Sequence, residues 1–271
     1  MLGKSYVLMV GFGNMGKALA EGFEAKGLPK SQLMIIEPGT QGQAVAKAAG
    51  YVVCDSPHVL PHMPHVVVLA VKPQVMAQVA PAYAPLNTLF LSIAAGLDTA
   101  TLATSLGTQA AIVRAMPNTP AAIGAGMTVL YQNHHVTPQQ SALAEELMAA
   151  VGATAWITDE ALMDAVTAIS GSGPAYFFLF MEALAAAGVS EGLPADMAQQ
   201  LAVQTAYGAA CLARQKAPQT TPAALREAVT SPGGTTAAAL ESFTSGGFHD
   251  LVRQAVAAAV KRGASLRNNI R

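Results

Sequence analysis

Along the first half of the chain, short runs of apolar residues alternate with longer amphipathic stretches. The runs at Tyr6–Val10, Leu33–Glu37, Val66–Val71, Thr88–Ser92, Ile112–Met116 and Thr128–Tyr131 have strand length and are separated by turn signals or helix-length segments. Strands that are apolar on both sides need cover on both faces, so the pattern predicts a mostly parallel sheet flanked by helices. A helix is predicted from about Pro138, with Thr137 as its cap and Gln140 completing a capping box, and Ala153–Ile157 as one last strand. After Thr158 the strand signal ends. Ala, Leu, Met and Gln recur at helical spacing through Asp159–Ile169, Pro174–Ala187, Ala195–Lys216, Pro222–Val229 and Phe248–Leu266. The predicted architecture is an α/β domain over residues 1–160 and an all-α domain over residues 161–271. The second domain's helices are apolar on more than one side, which predicts packing against a second copy as well as an internal core.

Composition narrows the partners. Lys and Arg number 15 against 16 for Asp and Glu in 271 residues, a net charge of −1, so there is no electrostatic case for nucleic acid or an anionic membrane surface. Charged residues make up 11% and hydrophobic ones 52%; ordinary domains carry about 25% charge, so this chain either buries surface in an oligomer or enters a membrane. Apolar runs such as AYFFLFMEALAAAG are interrupted by Glu182 and bordered by Gly and Pro, short of the roughly 20 residues a span needs, so a homo-oligomer without membrane contact is expected. MLGKSYVLMVGFG carries no recognisable export signal, and two distant cysteines, Cys54 and Cys211, fit reduced thiols in a cytoplasm. His58, His62 and His65 are interleaved with Pro57, Pro61 and Pro64, which break any helix that would align them, so a solvated loop is expected there and no metal site.

The turn signals carry the chemistry. GFGNMG (Gly11, Phe12, Gly13, Asn14, Met15, Gly16) follows a strand and opens a helix, the setting in which such a turn binds a dinucleotide. Gly11 permits the tight turn, Gly13 lets backbone approach the diphosphate, and Gly16 allows close helix packing. Glu37 ends the second strand about 20 residues on, where an acid accepts from the adenosine ribose. No Arg or Lys occurs from Pro38 to Val45, which favours NADH, although Thr40 and Gln41 are able to bond a phosphate and Glu37 could simply be an exposed strand end. LAVKPQ brings Ala70, Val71, Lys72 and Pro73 to the carboxyl edge of another strand; SIAAG brings Ala94, Ala95 and Gly96; RAMPNTP brings Asn118 and Thr119. Together they predict one rim for cofactor and substrate. SGSGP, Ser170–Pro174, reads either as a kink between helices or as a polar floor to that cleft.

Two observations bear on the reaction. No lysine lies between Lys72 and Lys216 and no histidine between His135 and His249, so the helical domain offers no evident base for alcohol oxidation. Reduction of a cyclic imine demands less, because the imine can arrive protonated and the enzyme mainly positions two partners. A carboxylate on such a substrate would be held by TSPGGTT, in which the Ser231, Thr235 and Thr236 hydroxyls and the N–H groups at Gly233, Gly234 and the start of the next helix form an anion cradle. A hydroxyacid dehydrogenase, a nucleotide-sensing protein and a reductase of a related cyclic imine remain the alternatives.

GFGNMG, VKPQ, SIAAG, RAMPNTP, DAVTAISGSGPAYFF and VTSPGGTT, in this order across nearly the whole chain, resemble pyrroline-5-carboxylate reductase. The resemblance implies reduction of 1-pyrroline-5-carboxylate to L-proline with NADPH or NADH, a Rossmann-type domain, and a helical dimerisation domain whose dimers assemble into decamers. It also implies that TSPGGTT reaches the active site from the dimer partner, with Ser231, Thr235 and Thr236 about the substrate carboxylate and Thr236 as a proposed proton donor. The chain departs from the family at Pro57 and Ala228, where relatives carry asparagine, in the first case one that contacts the cofactor.

Overall fold

The computed structural model describes residues 4–268. It divides into two compact units, one running to Ser172 and resuming at Ala259, the other Gly173–Ala258.

The first unit is built on an eight-stranded sheet in the order β3-β2-β1-β4-β5-β6-β7-β8. Its strands are β1 (Val7–Val10), β2 (Leu33–Ile36), β3 (Val52–Val53), β4 (Val66–Leu69), β5 (Leu89–Ser92), β6 (Ala111–Met116), β7 (Gly126–Gln132) and β8 (Gly152–Trp156). All neighbours are parallel except β6 and β7, where Arg114 faces Tyr131 in antiparallel register. The two-residue strand β3 falls below the length at which an apolar run is recognised, and its pairing of Met34 with Val52 is what identifies it.

The alternation of side chains along each strand distributes the core to both faces. Val7, Met9, Leu33, Ile35, Val66 and Val68 pack on one side with Leu19 and Phe23 of α1 (Asn14–Ala25) and Leu147 and Met148 of α5 (Pro138–Ala149). Leu8, Val10, Met34, Val67 and Leu69 pack on the other with Met76 of α3 (Pro73–Val79) and Leu102 and Leu106 of α4 (Thr99–Leu106). Helix α2 (Thr40–Ala48) follows β2. The capping box predicted at Thr137 and Gln140 is present, each side chain bonding the other's backbone N–H.

The predicted helix Asp159–Ile169 takes a different form. A 3-10 turn at Glu160–Leu162 leads into α6 (Met163–Val166) and then a π turn at Thr167–Gly171, closed by Ser172 N–H donating to the Thr167 carbonyl at 2.8 Å. The Leu162 N–H donates to the Asp159 carbonyl three residues back at 3.2 Å, and the far end closes over five residues, so neither end of the segment keeps α-helical bonding; the Ser170 carbonyl also accepts from Asn118 outside the helix.

The second unit holds α7 (Gly173–Ser190), α8 (Ala195–Lys216), α9 (Pro222–Ala228), α10 (Thr235–Ser245) and the first part of α11 (Phe248–Asn268). A Cβ on Gly188 would lie 3.3 Å from Ala198 Cβ and Leu193 Cδ1, so α7 and α8 touch closely there. Yet the fully buried residues of these two helices are only Gly173, Ala198 and Ala202. Phe177, Phe178, Leu179, Tyr207 and Leu251 each stand more than half exposed.

Candidate cofactor and substrate site

The carboxyl ends of β1, β4, β5 and β6, four neighbours in the sheet, gather the predicted rim in the first unit. At the end of β1, Gly11 adopts φ +92° and its N–H donates to the Ile36 carbonyl at 2.8 Å. A Cβ at Gly11 would stand 2.8 Å from the Ala70 carbonyl oxygen just past the end of β4, and one at Gly16 would stand 2.6 Å from the Gly11 carbonyl oxygen, so both glycines are required by close backbone contacts. Gly13 differs: a Cβ there would meet nothing within 4 Å, and its bare backbone faces open space. It is also the N-cap of α1, which no side chain caps. Open backbone at an uncapped helix start suits a diphosphate, so the turn fits a dinucleotide.

The other members of the hexapeptide divide between core and surface. Phe12 buries its ring edge-on against Tyr51, at 5.8 Å between centroids, and its N–H donates to Glu37 Oε2 at 2.7 Å. Asn14 is exposed and Met15 half-buried. Glu37 also accepts from the Gly39 N–H at 2.8 Å through Oε1. Ala70 and Val71 are half-buried, exposed Lys72 is the N-cap of α3, and Pro73 is its first residue. In SIAAG, Ala94 is buried, Ala95 exposed, and Gly96 has φ +77°. An apolar cleft of about 430 Å³ beside this rim is lined by Pro73, Met76 and Leu97 among others. A cleft of about 680 Å³ lined by Thr99, Tyr131 and Trp156 contains no rim residue.

Asn118 uses its side chain to join three segments. Its Oδ1 accepts from the Met127 N–H at 2.9 Å, while Nδ2 donates to the Ser170 carbonyl at 3.1 Å and faces Ser170 Oγ at 3.4 Å. Asn118, expected on the rim as a cofactor residue, stands just past the end of β6 and its side-chain bonds hold the SGSGP turn against the sheet edge.

Glu160 was missed altogether. Its carboxylate accepts from the Thr99 N–H at 2.7 Å, the Thr99 hydroxyl at 2.8 Å and Arg114 Nη1 at 2.8 Å, with both ionic side chains mostly buried. The sequence offers only a polar TDE after β8, and its partners lie 46 and 61 residues away.

TSPGGTT lies in the second unit and runs from beyond α9 into the first turn of α10. Gly233 takes φ +70°, the Gly234 N–H donates to the Ser231 carbonyl at 3.0 Å, and Gly234 is the N-cap of α10 without a side-chain bond. Ser231 and Thr235 are exposed and Thr236 half-buried. The first turn of α10 therefore begins with uncapped backbone N–H groups beside three hydroxyls, a donor set for an anion. Among the histidines, the Tyr6 ring stacks on His62 at 4.2 Å and the Tyr6 N–H donates to His65 Nδ1 at 3.0 Å, which ties that loop to the start of β1.

A glycine turn at the head of a Rossmann-type sheet, an acid at the end of its second strand and a helical second unit define the class: a nicotinamide-dinucleotide oxidoreductase. Residues 6–96 match the family described as NADP oxidoreductase, coenzyme F420-dependent, and residues 160–266 match pyrroline-5-carboxylate reductase dimerisation. The pyrroline-5-carboxylate reductase of Pseudomonas aeruginosa is 45% identical over 96% of this chain and 96% of its own. A solved pyrroline-5-carboxylate reductase from Coxiella burnetii superposes with a TM-score of 0.91 at 36% identity, covering 97% of this chain and 98% of that one. A pyrroline carboxylate reductase from Plasmodium falciparum, solved with NADP bound, gives 0.85 at 31% identity over 97% and 98%. The chain belongs to the pyrroline-5-carboxylate reductase family.

Proposed function

We infer that this protein reduces 1-pyrroline-5-carboxylate to L-proline with NAD(P)H, the final step of proline biosynthesis. The observation that carries the substrate reading is the start of α10, where uncapped N–H groups and the hydroxyls of Ser231, Thr235 and Thr236 offer donors for the ring carboxylate with no cation among them. A nicotinamide, when bound, would supply a hydride to the imine carbon. The backbone of Gly11 to Gly16 and the start of α1 would hold its diphosphate, and the turns at Ala70–Pro73 and Ala94–Gly96 would form the rest of the cofactor rim. Gly233 and Gly234 let the cradle backbone approach the carboxylate closely, and Thr236 donates to it. Because the imine arrives protonated and leaves as an amine, no lysine or histidine base is required of the helical unit.

The family's dimerisation region covers residues 160–266, and the chain self-associates through it. Glu160–Ser190 forms a helical stretch long and apolar enough to cross a membrane, although only 6% of its apolar window is buried. The run AYFFLFMEALAAAG, interrupted by Glu182 and expected to fall short of a span, is part of this longer stretch. We assign that apolar surface to the subunit interface, with dimers assembling into a decamer and TSPGGTT serving the partner's site. The same reading gives residues 1–160 the dinucleotide and residues 161–271 dimerisation and substrate. It places the enzyme in the cytoplasm, in keeping with two unpaired thiols, Cys54 buried and Cys211 exposed.

The test is the initial rate of NADH and NADPH oxidation with pyrroline-5-carboxylate, the six-membered homologue and 2-hydroxyacids in parallel. Turnover with the five-membered imine alone is expected. Turnover only with the larger ring would move the substrate assignment, and turnover only in the alcohol direction would overturn the reaction class.

A further inference from the structure

We propose that Glu37 makes this enzyme selective for NADH over NADPH, an inference that rests on the reductase reading and names its cofactor. The carboxylate is not a free strand end. Its Oε2 accepts from the Phe12 N–H at 2.7 Å and its Oε1 from the Gly39 N–H at 2.8 Å, so it bridges the diphosphate-binding turn and the turn that opens α2. Two glycines make room for it: a Cβ on Gly42 would stand 2.6 Å from Glu37 Cγ, and one on Gly39 would stand 3.0 Å from Oε1. The Gln43 side chain completes the corner by donating to the Glu37 carbonyl at 2.8 Å.

A carboxylate held at both oxygens cannot rotate away from an incoming anion without giving up two backbone bonds. Each oxygen keeps a lone pair, which suits the 2′- and 3′-hydroxyls of an adenosine ribose. A 2′-phosphate in the same place would bring up to two negative charges against a fixed third. The neighbouring residues offer no relief, since Pro38 to Val45 contains neither Lys nor Arg. Repulsion of that kind at contact distance, even well screened, is worth about tenfold in affinity or more.

The experiment measures dissociation constants for NADH and NADPH by nucleotide fluorescence, alongside rates with pyrroline-5-carboxylate, for the unaltered protein and two variants. The unaltered protein should bind NADH about tenfold tighter or more. Glu37→Gln loses the charge and one of the two braces, so both cofactors should weaken while the preference falls toward unity. Thr40→Arg, at the exposed first residue of α2, leaves the brace in place and should raise NADPH affinity selectively. NADPH bound as tightly as NADH by the unaltered protein, or a ratio that neither variant moves, would overturn the proposal. NADH preference in binding without oxidation by the imine would leave it standing and sink the substrate reading instead.

Discussion

Thr236 and Asn118 show how differently two residues from turn motifs can be used. Thr236, in the first turn of α10, makes no side-chain hydrogen bond among the described residues and is free to meet a ligand. Thr236→Val keeps the shape and removes the donor; kcat/KM for the imine should fall about 10- to 100-fold, with the NADH dissociation constant unchanged, as steady-state rates and fluorescence titration would read. Unchanged kinetics would remove Thr236 from the cradle. Asn118, by contrast, spends its amide on Met127 and Ser170. Asn118→Asp preserves the acceptor for Met127 but turns an oxygen toward the Ser170 carbonyl, and should cost about 1–3 kcal/mol in urea unfolding. A variant as stable as the parent would show that the SGSGP turn is held by other means. That RAMPNTP and SGSGP are turns could be read from their Pro and Gly residues; that one fastens the other could not, because 52 residues separate the bonded pair.

Among elements, the last strands and the segment after them depend on contacts that no local pattern announces. β7 and β8 pair with Gly126 opposite Gly152. A Cβ on Gly152, whose φ is +153°, would fall 2.0 Å from the Gly126 carbonyl oxygen. Gly152→Ala should therefore open the ladder and lower stability by about 2 kcal/mol or more, visible as a lower urea midpoint. Glu160, just beyond β8, anchors the π-turn segment to Thr99 and Arg114. Glu160→Ala leaves a mostly buried guanidinium unpaired and should cost about 3 kcal/mol by the same measurement. A neutral result would mean that water replaces the carboxylate at little cost. The start of α5 was legible because its capping box is contained in four residues, Thr137–Gln140. The π turn was not, because the bond that reaches it, Asn118 to the Ser170 carbonyl, comes from 52 residues away.

For the molecule as a whole, the helical unit cannot be complete as a single copy. Its helices bury few of their own residues, and Phe178, at the centre of the apolar run on α7, is 60% exposed. An apolar surface of this extent marks an interface between chains. Phe178→Glu should shift the protein to monomer in sedimentation velocity and abolish imine reduction if the partner supplies TSPGGTT. Full activity in a monomer would show that each chain uses its own loop.

The sequence by itself determined the two architectures, the strands other than β3, the glycine turn after β1 and the family, since these rest on local periodicity, capping and short motifs whose meaning travels with the chain. It also set the low charge that calls for a second copy. Only the tertiary structure decided that β7 runs against β6, that Glu160 and Asn118 are fasteners, and that Glu37 is braced by two backbone N–H groups. The bonds of Glu160 to Thr99 and Arg114, of Asn118 to Ser170 and of Glu37 to Phe12 join groups far apart in sequence, and a one-dimensional pattern carries no record of which distant partner a side chain will find.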